Sequence, residues 1–180
     1  MNVCVFCGSS PGNSPIYKDA ARALGQALLA FNCTLVYGGG NIGLMGIVAD
    51  EVLSGSGKVI GVIPDFLMQK ELGHQGLTQL EVVKSMHERK QRMADLSNAF
   101  IALPGGWGTL DELAEILTWK QLGLISQPVG LLNINSFFDH LHLQMKTMVE
   151  EGFLQQSHMN MLIVEKIPQT LLAKLGVPTV

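Results

Sequence analysis

The nine residues PGGWGTLDE, Pro104 to Glu112, set three glycines and a threonine directly ahead of two acids. Gly105, Gly106 and Gly108 can bring unobstructed amides up to an anion, and Thr109 as an N-cap would aim the positive end of a helix at it. Phosphate is the natural guest of such a corner. Asp111 and Glu112 would repel that phosphate, so they must either meet another part of the ligand or serve the helix, whose first turn favours negative charge. Glu112 and Glu115 are three residues apart and Asp111 and Glu115 four, so the acids fall within one turn. A carboxylate just beyond a phosphate corner is placed to reach the hydroxyls of a sugar.

Other segments offer related chemistry. GGGNIGLMG, Gly38 to Gly46, can supply amides through Gly39 and Gly40, or can simply let a helix lie close on a sheet. The turn CGSSPG contributes Ser9 as a further candidate contact. MHERK, Met86 to Lys90, opens the densest positive cluster in the chain. Arg89 offers a planar fork of donors suited to phosphate or sugar oxygens, whereas Lys90 is equally at home facing solvent and His87 can cap, pack or bind. Neither glycine run ends in the Gly-Lys-Ser/Thr of a Walker loop, and GSSPG is not a dinucleotide fingerprint. A monophosphate asks less of these loops and fits them better.

Such loops need a scaffold. Short runs rich in Val, Ile and Leu at Val3–Phe6, Thr34–Tyr37, Lys58–Ile63, Phe100–Leu103 and Val129–Leu132 read as strands, with further candidates at Leu80–Val83 and in MLIVEK. Between them, segments with apolar residues recurring at three and four predict helices, among them 16–31, 43–55, 87–98, 109–123, 137–153 and 168–176. Strands apolar nearly throughout and alternating with helices predict an α/β fold, a single-domain Rossmann-like open parallel sheet over 1–180 with helices on both faces. In such a sheet ligands collect beyond the carboxyl ends of the strands, where all the glycine runs fall.

Bulk properties narrow the partners. A chain of 180 residues, 47% hydrophobic, fills one core, and a formal charge of −3 with no extended Lys/Arg run gives little reason to expect a nucleic-acid polymer. No apolar stretch reaches the length of a membrane span, and the start MNVCVFC lacks the features of a secretion signal, so the expectation is cytoplasmic and free of membrane. Cys4 and Cys7 have half-zinc spacing, but they sit in a strand with no second Cys/His pair, and with Cys33 they read as thiols of a reducing compartment. No metal is expected.

Taken together, PGGWGTLDE, MHERK and GGGNIGLMG resemble the LOG (Lonely Guy) family of cytokinin-activating phosphoribohydrolases, and the resemblance runs from VFCGSS to LIVEK. It implies a homodimer that hydrolyses the N-glycosidic bond of a nucleoside 5'-monophosphate, typically an N6-substituted adenosine monophosphate, with no cofactor. It also implies a catalytic pair, Arg89 and Glu112, and substrate contacts at Gly105, Gly106, Gly108, Thr109, Lys90 and Glu71. Proteins of this kind have carried the label lysine decarboxylase, yet no lysine here lies in the motif of a carbanion-stabilising cofactor. The alternative is a related carrier, of a nucleotide or of the molybdenum cofactor, which binds without hydrolysis. For the dimer, Leu113, Ile116, Leu117 and Trp119 exceed one sheet-facing stripe and offer an apolar surface.

Overall fold

The structure is a computed structural model that describes residues 1–68 and 73–178. Its strands are β1 (Asn2–Phe6), β2 (Thr34–Tyr37), β3 (Val59–Pro64), β4 (Gln79–Val83), β5 (Ala99–Ala102), β6 (Val129–Leu132) and β7 (Leu162–Glu165). They form one sheet in the order β4-β3-β2-β1-β5-β6-β7, parallel at every pairing. The helices are α1 (Pro15–Ala30), α2 (Gly43–Ser54), α3 (Met86–Asp95), α4 (Trp107–Gln121), α5 (Asp139–Glu150), α6 (Gln156–Met159) and α7 (Pro168–Lys174). The predicted open parallel sheet is the observed one.

The side chains of β1 show how one strand serves two layers. Val3, Val5 and Cys7 enter the core shared with α1, α2 and α7, while Cys4 and Phe6 enter the core shared with α3 and α4. This is the period of two expected of a strand covered on both faces. Helix α5 is different, because none of its residues is fully buried.

Local chemistry sets the helix starts. Ser14 accepts from the Ile16 amide ahead of α1, with Pro15 in the first turn. At α3, Ser85 accepts from the Glu88 amide at 3.1 Å while Glu88 reaches back to the Lys84 amide at 2.8 Å, close to a capping box. Helix α4 corrects two expectations. It begins at Trp107 with Gly106 as a cap that has no side-chain bond, so Thr109 is the third helical residue and not the N-cap. Asp111 and Glu112 consequently lie in the second turn, where the helix dipole gives them little. The apolar face of α4 also turns inward: Leu113 and Ile116 are buried in the chain's own core, with Leu117 and Trp119 packed against it. The short α6 has no counterpart among the predicted helices.

Candidate active site

The order of the sheet reverses at β1, which pairs with β2 on one side and β5 on the other. At such a point the following loops part to opposite faces and leave a crevice at the carboxyl edge. Here three loops are laced around it. The Gly8 amide donates to Pro104 O at 3.1 Å, the Leu103 amide to Phe6 O at 2.9 Å, and the Leu44 amide at the head of α2 to Gly8 O at 2.9 Å. Gly105 is required by the packing, since a Cβ there would lie 2.1 Å from the Thr109 hydroxyl and 2.9 Å from the Gly8 amide nitrogen. At Gly106 and Gly108 a Cβ would meet nothing within 4 Å, so these two border open space.

That space is a cavity of about 210 Å³. Arg89, Asp111 and Glu112 line it together with Ser9, Gly106, Gly108 and Thr109. Arg89 is only 4% exposed, and its charge is fixed by main-chain carbonyls at the carboxyl ends of two strands. Its Nε donates to Val62 O at 3.2 Å and its Nη2 to Gly38 O at 2.8 Å. Gly38 makes room for this approach, because a Cβ there would fall 1.9 Å from Nη2. The field of Glu112 is felt at the buried thiols below. Burial pushes the Cys4 and Cys7 thiols up, and the Glu112 charge pushes them further in the same direction, while Arg89 opposes it at Cys4. Acid and arginine thus share one volume above β1.

Other predicted residues are placed elsewhere. Lys90, with its side chain 11% exposed, holds Asp111 at 3.1 Å and Glu115 at 3.0 Å and is not among the residues lining the cavity. Burial would lower its pKa, but these two carboxylates outweigh that cost and hold the ammonium above its ordinary value. Gly39, at φ +76°, accepts from the His74 amide at 3.0 Å and Gly40 bridges Gly73, so both tie down the segment after residue 72 and neither borders the cavity. Glu71 lies outside the described residues. His87 is exposed in the first turn of α3.

Two further cavities need separating from this one. A chamber of about 220 Å³ with Tyr17 and Phe137 in its wall lies across the ridge formed by Gly8, Ser9 and Gly106, which it shares with the first. A larger opening of about 570 Å³ lies beside Asp50 and His74. His74 there is already engaged, with Nδ1 accepting from the Gly76 amide at 3.1 Å and Nε2 3.0 Å from Asp50. Size alone therefore does not mark the chemistry. Among the described residues, no group of three or more His, Cys, Asp or Glu is placed to hold a metal ion.

The sequence reading missed the apolar wall of the cavity, formed by Met45, Leu67, Met86 and Trp107. Only Trp107 carried a signal, as the one bulky residue between Gly105 and Thr109.

Comparison with known proteins gives two kinds of likeness. The profile of the family described as "Possible lysine decarboxylase" matches residues 45–175. The chain is 47% identical over 173 residues to an Arabidopsis thaliana protein named cytokinin riboside 5'-monophosphate phosphoribohydrolase, covering 96% of this chain and 81% of that one. It is 49% identical over 173 residues to a rice (Oryza sativa subsp. japonica) protein named "Probable cytokinin riboside 5'-monophosphate phosphoribohydrolase", covering 96% and 71%. Among solved structures, the molybdenum cofactor binding protein of Rippkaea orientalis superposes with a TM-score of 0.69 at 20% identity, over 97% of this chain and 93% of that one. The Moco carrier protein of Chlamydomonas rheinhardtii gives 0.68 at 17% identity over 98% of each. At these identities the solved structures speak to the fold alone.

Proposed function

The chain belongs to the LOG family of phosphoribohydrolases, and on that premise we propose that it hydrolyses the N-glycosidic bond of adenine-type nucleoside 5'-monophosphates, typically N6-substituted. Water is consumed, and the products are the free base and ribose 5-phosphate. The observation that carries this reading is the convergence of Arg89, Glu112 and the glycine corner on one cavity at the reversal point of the sheet.

In this reading the amides at the start of α4 hold the phosphate, aided by the helix dipole. Gly106, with no Cβ and no side-chain cap, leaves them open to the ligand. Anchoring the phosphate fixes the ribose and contributes orientation. As the bond to the base stretches, the sugar becomes electron-poor, and the Glu112 carboxylate stabilises that growing positive charge more than it stabilises the ground state. Arg89, immobilised on Val62 and Gly38, supplies a fixed positive charge on the same cavity that balances the anionic ligand. Asp111 is restrained at the rim by Lys90. No cofactor or metal enters the scheme.

The proposal extends to assembly and location. We assign the chain a homodimer, supported by a groove of about 280 Å³ between α4 and α5 lined by Leu110, Leu117, Leu141 and Met145, and by exposed Leu122, Leu124 and Leu143 nearby in the sequence. We place it in the cytoplasm, where Cys4, Cys7 and Cys33 stay as the free thiols observed. Among the described residues no helix is long and apolar enough to cross a membrane.

The test is a metal-free assay on a panel of nucleosides and their mono- and triphosphates that separates free base from ribose 5-phosphate. Release of base from adenine-type monophosphates, in preference to nucleosides and triphosphates, is expected. Folded protein that binds a nucleotide but releases base from no monophosphate would replace the hydrolase with a carrier.

A further inference from the structure

Trp107 is 88% exposed, more than any other large hydrophobic residue among those described. It is the first residue of α4, lies between two glycines that border open space, and belongs to the wall of the cavity that holds Arg89 and Glu112. A tryptophan left in water forgoes the largest apolar burial a side chain can contribute, so its position calls for an occupant that covers it.

The cavity lining mixes polar Thr109, Asp111, Glu112 and Arg89 with apolar Met45, Leu67 and Met86. A nucleoside monophosphate mixes the same chemistry, with phosphate and ribose at one end and a flat, weakly polar purine at the other. Trp107 begins the very helix whose first amides hold the phosphate in that reading, so one helix start serves both the anion and the base. We propose that Trp107 is the stacking platform for the substrate's purine, covering it from the solvent side in the cavity that Met45 and Met86 also line. The inference rests on the nucleotide reading above and adds to it the residue that recognises the base.

The chain has two tryptophans, and Trp119 packs against the core, so Trp119→Phe leaves Trp107 as the only indole reporter. The probe is carbocyclic AMP, in which a methylene replaces the ring oxygen so that the bond to the base resists hydrolysis, with ribose 5-phosphate as the probe that lacks a base. Carbocyclic AMP is expected to quench Trp107 emission, and ribose 5-phosphate to bind in calorimetry without quenching. In the otherwise unaltered protein, Trp107→Ala is expected to weaken carbocyclic AMP by about tenfold, within the range measured for base stacking on aromatic side chains. It should leave ribose 5-phosphate unchanged, and Trp107→Phe should recover most of the loss. If Trp119→Phe does not fold, the emission difference between the parent protein and Trp107→Phe gives the same reading. Calorimetric binding of carbocyclic AMP with no change in Trp107 emission and no loss in Trp107→Ala overturns the platform while sparing the nucleotide site. Emission that responds to protein dilution but not to nucleotide overturns it too, assigning Trp107 to a contact between copies. Absence of calorimetric binding by either probe to the parent protein would instead remove the nucleotide reading itself, and the platform with it.

Discussion

At the scale of single residues, Arg89 and Glu112 line the cavity while Lys90 holds Asp111 and Glu115. Glu112→Gln keeps the shape of the side chain and removes its charge, so turnover is expected to fall by about 10²–10³ with little change in ribose 5-phosphate affinity. Steady-state kinetics and calorimetry check this, and turnover near that of the parent would end the catalytic assignment. Two glycine substitutions give a second test with opposite signatures. Gly38→Ala drives a methyl into the Arg89 guanidinium, so it is expected to lower activity and thermal stability together, the latter by about 1–3 kcal/mol as buried hydrogen bonds are lost. Gly106→Ala projects into open space and is expected to weaken phosphate binding while leaving the melting temperature in place. The sequence singled out the glycine corner, Arg89 and Glu112 by residue type and order, and the structure sets them on one cavity. It did not reveal what Lys90 does, since its partners Asp111 and Glu115 lie on the following helix and only packing brings them within 3.1 Å. Nor does a run of three glycines say which one faces a guanidinium and which two face a neighbouring segment.

At the scale of elements, α3 is the beam that carries Arg89, and it is pinned at both sides. Lys90 ties it to α4, and Arg92 ties it to edge strand β4 through Nε to Glu81 Oε2 at 2.6 Å and Nη2 to Oε1 at 3.0 Å. The Arg92 hydrogen bond holds the Glu81 carboxyl below the usual carboxylate range. A carboxylate with a depressed folded pKa contributes stability above its unfolded pKa and loses it as pH falls through the folded value. Glu81→Gln is therefore expected to cost no more than about 1 kcal/mol at neutral pH, the pair being partly exposed. That difference from the parent should vanish in acid once Glu81 itself is protonated. Denaturant titrations across pH check this, and a gap that persists in acid would assign the loss to packing instead. Element positions were readable to within a few residues, because short Val/Ile/Leu strands and three-four periodicity leave plain marks. The start of α4 was not, because Gly106 caps without a side chain and a rule that looks for a hydroxyl settles on Thr109. Four residues of α6 are too few to show a period.

At the scale of the whole molecule, the class of sheet was legible from the alternation of elements, whereas the strand order was not, since nothing local tells β5 to return beside β1. The same holds for the outer surface. Periodicity marked α4 as apolar on more than one side, but only the fold shows that Leu113 and Ile116 serve its own core. The apolar area left over belongs instead to the groove toward α5 and to Leu122, Leu124 and Leu143. Light scattering over a dilution series is expected to give twice the 19.5 kDa chain mass, and Leu143→Glu with Leu124→Glu is expected to yield monomer if that surface is the contact. A parent mass of one chain at working concentration would reject the dimer. The pairing of β1 with β5 has a consequence in time. Val3 finds Leu35 early in synthesis but must wait for Ala99 to complete its other side. At about 5–20 residues per second the ribosome leaves that apolar strand edge bare for roughly 5–20 s. Chains arrested before β5 are therefore expected to bind holdase chaperones that the finished protein ignores, so that the strand lying under the candidate site is also the one most in need of protection at birth.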